Sequence, residues 1–250
     1  LPEEAVFVDD RNDKLLNKDG TPANLYIWEF QNTKNNRWYK CRDRAILWPD
    51  GRKVRLEIAT DITDHKQTEE TLRSQLKFEK MVAAISTRFA NIPEGKLDET
   101  IEHALKLSGE FFNVDRSYLF QFSADGKLMN NTHEWCAQGI EPQIDNLQGI
   151  PAEIIPWWME KLNRFEIINI YNVEDMPLAA AVEKEILESQ SIKSVLVVPM
   201  AFAGKLTGFI GFDSVEDNKI WKEEQISILI VLAEIISNAL VRHQREEEIR

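Results

Sequence analysis

Three times in this sequence, two strand-like runs are separated by a turn too short for anything but reversal. RWYKCRDRAILW (37–48) meets RKVRLEIATDIT (52–63) across PDG, DRSYLFQF meets LMNNTHEWCA across SADGK, and SVLVVPMAFAGKLTGFIGFDS (194–214) folds back at AGK. A parallel connection needs about a dozen residues or more, so each pair can only be an antiparallel hairpin. Around the hairpins the apolar period changes from that of a strand to that of a helix, at 64–92, 97–112, 179–191 and from Trp221 onward. Hairpins interspersed with helices predict an α+β fold.

The first hairpin has a calculable register. A two-residue turn at Asp50-Gly51 sets Leu47 opposite Val54, Ala45 opposite Leu56, Asp43 opposite Ile58 and Cys41 opposite Thr60. The other surface then pairs Arg44 with Glu57 and Lys40 with Asp61, each contact contributing a few tenths of a kcal/mol. Asp43 falls on the apolar face. At an open edge it stays hydrated; otherwise it would hold a ligand or serve a side where helices are missing.

The hairpin leads through DIT into DHKQTEETLRSQLKFEKMVAAISTRFANI (64–92), which holds no Gly or Pro until Pro93. Phe78, Val82, Ile85, Phe89 and Ile92 follow the seam spacing of a coiled coil, predicting an unbroken connecting helix. The last helix carries two apolar stripes: Ile228, Leu232, Ile235 and Ala239, and Ile226, Leu229, Ala233, Ile236 and Leu240. One stripe covers the domain's own sheet, and the other predicts a partner. The expected assembly is a parallel homodimer through the N- and C-terminal helices. The apolar run ISILIVLAEIISNALV (226–241) reads as too short for a bilayer span, and it contains Glu234 and Asn238.

A net charge of -12 argues against nucleic acid and anionic membranes as partners. The two cysteines, Cys41 and Cys136, are far apart with no CxxC, which fits a reducing, cytoplasmic compartment and no cysteine-rich metal site. No signal peptide opens the chain, its first residue is Leu, and HQREEEIR ends in a helical pattern. Both ends are therefore expected to be cut from a longer polypeptide.

WYKCRDRAILWPDGRKVRLEIATDITDHKQTEE resembles the C-terminal strands of a PAS domain, including the DIT that closes the last strand. Residues 78–243 resemble a GAF domain, on VDRSYLFQF, SVLVVPM, GKLTGFIGFDSVED and QISILIVLAEIISNALVR. The resemblance implies the C-terminal part of a PAS-like domain at 1–63, a connecting signalling helix at 64–92, a GAF domain with a central antiparallel sheet flanked by helices at 78–243, and a long helix at 221–250 leading to an output domain. These families form sensory and relay parts of histidine kinases and diguanylate cyclases, with a DIT-plus-helix junction as the usual output point. No phosphoacceptor-histidine helix with an ATP lid and no GGDEF accompanies them here.

Within the GAF-like part, Phe120, Phe122, Trp157 and Trp158 are the aromatic candidates for a ligand pocket, with Trp135 beside them. Glu134, Asp213 and Ser214 are the polar ones, and Cys136 completes the set. The plainer reading of such aromatics is core. Some GAF domains hold haem or a tetrapyrrole through His or Cys, so the resemblance makes His133 or Cys136 an alternative haem ligand for a redox or gas sensor. In a regular strand the two side chains point to opposite faces and cannot act together. The bilin signature of phytochromes is not visible, so the cofactor is left open.

NKIWKEEQ (218–225) lacks the order of the cyclic-nucleotide GAF motif, and Gly208 and Gly211 in GFIGF suit close packing rather than a phosphate loop. Free methionine sulfoxide reductases share the GAF fold but need several cysteines, and this region has only Cys136. No Ser/His/Asp motif, HExxH or P-loop appears. The expected role is a sensory and relay fragment without turnover, binding a small molecule. The alternative is a ligand-free dimerisation spacer.

Overall fold

The computed structural model describes residues 14–249, so residues 1–13 and the terminal Arg250 lie outside the described residues. The chain divides into two compact units, one ending at Phe78 and one beginning at Glu79.

The first unit is a three-stranded antiparallel sheet of β1 (Tyr26–Gln31), β2 (Trp38–Leu47) and β3 (Lys53–Asp61), in that order. Its register differs from the expected one by a residue. Leu47 pairs with Lys53, Ala45 with Arg55, Asp43 with Glu57 and Cys41 with Ala59. The cause is Pro49. Proline presets φ for the second position of a type I turn, so the reversal closes with Gly51 N–H donating to Trp48 O at 2.8 Å. Gly51 then takes a left-handed φ of 86°, giving a three-residue loop.

The slip removes the expected Arg44–Glu57 and Lys40–Asp61 pairs. Arg55 instead reaches both Asp43 at 2.6 Å and Glu57 at 3.1 Å, and Lys40 reaches Glu29 at 3.1 Å. Asp43 is not hydrated. It is fully buried and also accepts from Trp28 Nε1 at 2.9 Å.

From β3 the backbone enters α1 (Thr63–Ala90), a single unbroken helix in which the boundary between the units falls. Its later half buries Met81, Ile85 and Phe89, whereas residues 67–77 are exposed along their whole length.

The second unit adds α2 (Leu97–Phe112), β4 (Arg116–Phe122), β5 (Leu128–Cys136), β6 (Ile150–Pro151), α3 (Pro156–Asn163), β7 (Ile168–Ile170), α4 (Ala181–Ser189), β8 (Ser194–Phe202), β9 (Lys205–Ser214) and α5 (Glu223–Ile249). Its strands form one antiparallel sheet in the order β6-β5-β4-β9-β8-β7. The long helices α2 and α5 pack on one face, and the short α3 and α4 with their connections lie on the other. The helix α2 buries Leu97, Ile101, Ala104, Leu105 and Ser108 at helical spacing. It stops at Asn113, whose left-handed φ of 50° lets Val114 N–H reach Gly109 O at 3.0 Å.

The helix α5 corrects the stripe argument. Ile228, Leu232 and Ala239 are buried, but so are Leu229, Ala233 and Ile236 of the stripe assigned to a partner. The chain's own sheet and α2 cover these six, while Ile226, Ile235 and Leu240 are half-buried. The run 226–241 sits within the long helix expected from Trp221 onward, and its stretch Glu223–Glu246 has the length and composition of a membrane span. Its buried side chains, seated on the sheet and on α2, make it a core helix.

Candidate functional site

A cavity of about 360 Å³ lies on the face of the six-stranded sheet opposite α2 and α5. The sheet supplies its floor because β4 and β9 pair with Arg116 opposite Asp213, Tyr118 opposite Gly211 and Phe120 opposite Phe209. In antiparallel pairing, residues directly opposite share a face. Phe120 and Phe209 stack at 4.6 Å and 12°, and Tyr118 meets Phe120 edge-on at 5.8 Å. The two glycines of GFIGF make this wall possible. A Cβ on Gly211 would lie 2.6 Å from the Tyr118 ring, and one on Gly208 would lie 2.1 Å from the Phe120 carbonyl oxygen. Close packing is their role, as expected from their place within a strand.

A bulge in β5 aims the polar groups. Leu119 pairs with His133 but Phe120 with Asn131, so Thr132 is the extra residue and the alternation is broken there. Asn131 and Glu134 therefore both line the cavity although they lie three residues apart, and Asn131 Nδ2 donates to Glu134 Oε1 at 3.2 Å. The other Glu134 oxygen accepts from the amides of Gln143 at 2.7 Å and Ile144 at 3.0 Å. It thereby ties the 143–147 segment, whose Gln143, Asn146 and Leu147 also line the cavity. Opposite, Trp158 from α3 and Glu183, Ile186 and Leu187 from α4 close the space. Glu183 accepts from the amides of Trp157 at 2.8 Å and Trp158 at 3.2 Å, placing its carboxylate at the N-terminus of α3.

The electrostatic centre is the buried cross-strand pair Arg116–Asp213, with Nε 3.3 Å from Oδ1. Neither atom makes an aligned hydrogen bond, and the guanidinium donates through its NH2 to Gln190 O at 3.0 Å. Burial pushes the Asp213 carboxyl up to about 7, with Arg116 opposing and Glu134 and Asp115 adding to the rise. Burial also holds the Tyr118 phenol well above its ordinary range.

Of the seven ligand candidates read from the sequence, Phe120, Glu134, Trp158 and Asp213 stand in the cavity wall. Three do not. Phe122 is half-buried at the edge of the core, its ring 6.0 Å from Phe209. Trp157 turns outward to a shallow groove beside β7, with Lys161 Nζ 5.0 Å from its ring centre. Cys136 lies past the wall, its thiol pushed up to about 12 by burial and by the nearby Glu134. At that value the thiol is protonated near neutral pH. Trp135 packs into α2, where only a residue without a Cβ, Gly109, admits its ring. Ser214 is held by Asp115 at 3.0 Å.

His133 likewise turns to α2. Its ring nitrogens lie 3.0 Å from Thr132 Oγ1 and 3.2 Å from Asp98. Neither proposed haem ligand lines the cavity: the bulge at Thr132 turns His133 to the α2 side, and Cys136, opposite Arg116 on the cavity side of β5, lies beyond its end. Among the described residues, no group of three or more His, Cys, Asp or Glu is disposed to hold a metal ion.

Sequence reasoning passed over Arg116, Asn131, Glu183 and Phe209. Phe209 is the one with a usable signal, the alternation of GFIGF opposite that of YLFQF. Glu183, inside AVEKEI, looks like any solvated helix position.

Residues 96–240 match the family model of the GAF domain. The methanogenesis regulatory histidine kinase FilI of Methanothrix harundinacea (strain 6Ac) is 32% identical over 201 residues, which cover 77% of this chain and 22% of that protein. The chain thus spans about a fifth of that relative's length. Among solved structures, the phycocyanobilin-bound GAF domain of a cyanobacterial phytochrome superposes with a TM-score of 0.57 at 20% identity, covering 68% of this chain and 96% of that one. A far-red-absorbing dark state with bound biliverdin IXa gives 0.55 at 16% identity, covering 66% and 99%. At such identities the likeness is one of fold.

Proposed function

Because this chain belongs to the GAF domain family, we propose that it is the sensory and relay part of a histidine-kinase-type regulator, binding a small organic molecule in the cavity. The observation that carries this reading is the two-sidedness of β9. Phe209 and Asp213 face the cavity, while the alternate residues Ile210 and Phe212 are fully buried on the face where α2 and α5 pack. Phe212 lies 6.0 Å from Phe112 of α2 and 6.4 Å from Trp221, just ahead of α5. A ligand that shifts β9 therefore biases the helix that leaves the domain, and a packed strand has few intermediate positions to stop in.

In this reading residues 1–63 are the C-terminal part of a PAS-like domain, supported by a three-stranded sheet whose last strand feeds α1 directly. The effector is a histidine kinase rather than a diguanylate cyclase, by the kinship with the methanogenesis regulator. The setting is cytoplasmic, the chain itself turns nothing over, and it works as a homodimer. The net charge of -12 supports neither a nucleic acid nor an anionic membrane as partner.

Mass spectrometry of the natively purified chain tests the sensing step, alongside Leu187→Trp, which fills the cavity from α4. The expected outcome is a bound small molecule in the parent chain and its loss in the variant. A chain that carries nothing, and whose melting temperature no metabolite raises, would instead be a ligand-free spacer.

A further inference from the structure

The charges and unpartnered atoms of the cavity wall define a class of ligand, an inference that rests on the sensory reading above. Glu134, Glu183 and Asp213 bring carboxyl groups to the wall against the guanidinium of Arg116, and among the described residues no lysine or histidine lines it. Arg116 is already engaged by Asp213 and by the Gln190 carbonyl. An anionic ligand would meet uncompensated like charge where water screens little.

The hydrogen-bond balance points the same way. Glu183 is buried and anchored through one oxygen by the α3 amides, but its Oε2 has no partner among the described residues. Asn131 is buried too, and its Oδ1 also lacks a donor. Buried acceptors left this way are costly, and an N–H donor relieves them. On the donor side Trp158 Nε1 has no acceptor among the described residues. The stacked Phe120 and Phe209 rings, with Trp158 across from the sheet, offer flat apolar faces that also attract cations.

We propose that the cavity takes a small aromatic amine: a planar apolar ring body bearing a protonated nitrogen that donates to Glu183, with Asn131 as a second acceptor. Trp158 Nε1 is then free to donate to a hydroxyl or carbonyl on the same ligand.

Calorimetry on the full chain near neutral pH tests this with charge-matched pairs: tryptamine against indole-3-acetate, and phenethylamine against phenylacetate, with indole as the neutral member. Each amine is expected to bind at least about tenfold more tightly than its acid, the scale of one charge-assisted hydrogen bond. Glu183→Gln keeps an oxygen for the α3 amides but removes the charge, and should bring that ratio close to one. Should that variant not fold, Asn131→Leu serves instead and is expected to weaken the amines selectively. Acids or indole binding as tightly as the amines, or a ratio unmoved by Glu183→Gln, would sink the ligand class and leave a small-molecule sensor standing. Binding by none of the probes overturns the class as well. The sensory reading falls only if, in addition, nothing co-purifies with the chain and no metabolite stabilises it.

Discussion

Asp213 shows how one residue can carry opposed forces. Its carboxyl faces Arg116 across the ladder, which favours the charged form, yet burial wins and holds the group near 7. A folded-state value above the ordinary 3.8 means the folded chain binds the proton more tightly than the unfolded one. That contribution to stability is complete below about 4, declines as pH rises, and is lost above about 7. Thermal melts of the parent and Asp213→Asn across that window are expected to differ in slope, the variant losing the decline that Asp213 supplies. Parallel profiles would contradict the assignment. Asp43 is the complementary case in the first unit. Buried with Arg55 as its cation and Trp28 as a donor, it makes Arg55→Met cost about 3 kcal/mol or more in urea titration, because a carboxylate would remain in the interior without its cation.

Among the elements, β9 is the most constrained, because it must approach β4 closely enough for aromatic rings to form a wall. Gly208→Ala would drive a methyl group against the backbone of Phe120, which cannot turn away as a side chain could. We expect a loss of about 2–3 kcal/mol in chemical denaturation, with the β4–β9 pairing disturbed. A loss within error would show that the strands have room the structure does not give them. The long helices behave differently from each other. Leu229 of α5 is fully buried in its own domain, so Leu229→Glu would unfold the core rather than report on assembly. In α1 the 67–77 stretch has no cover, and Leu72 and Leu76 stand 56% and 49% exposed.

For the whole molecule, that exposed stretch is one place where a second copy would bury apolar surface. A homodimer joined through α1 would bury those leucines four residues apart on one helix face. Light scattering at micromolar concentration should then give the dimer mass for the parent chain and the monomer mass for Leu72→Glu/Leu76→Glu. A monomeric parent would rule this arrangement out. An uninterrupted α1 also suits a relay, since a helix without Gly or Pro transmits torsion and register along its length.

The sequence by itself determined the elements and their pairing. Short turns between alternating runs leave antiparallel reversal as the only option, and an apolar period without breakers leaves helix from Thr63 to Ala90. Both are local properties, written in spacing and in backbone sterics. It also pointed to aromatics that became core or wall. The register of the first hairpin is local too, since Pro49 turned a two-residue reversal into three and moved every partner by one. Tertiary structure decided the rest. One bulged residue, Thr132, sorted His133 to the helix side and Glu134 to the cavity. The partners of Asp213 and Glu183 lie on other elements far along the chain, and how much of the second stripe of α5 was left uncovered depended on where α2 came to rest. A side chain's period is fixed by its neighbours in sequence, but its environment is fixed by what packs against it.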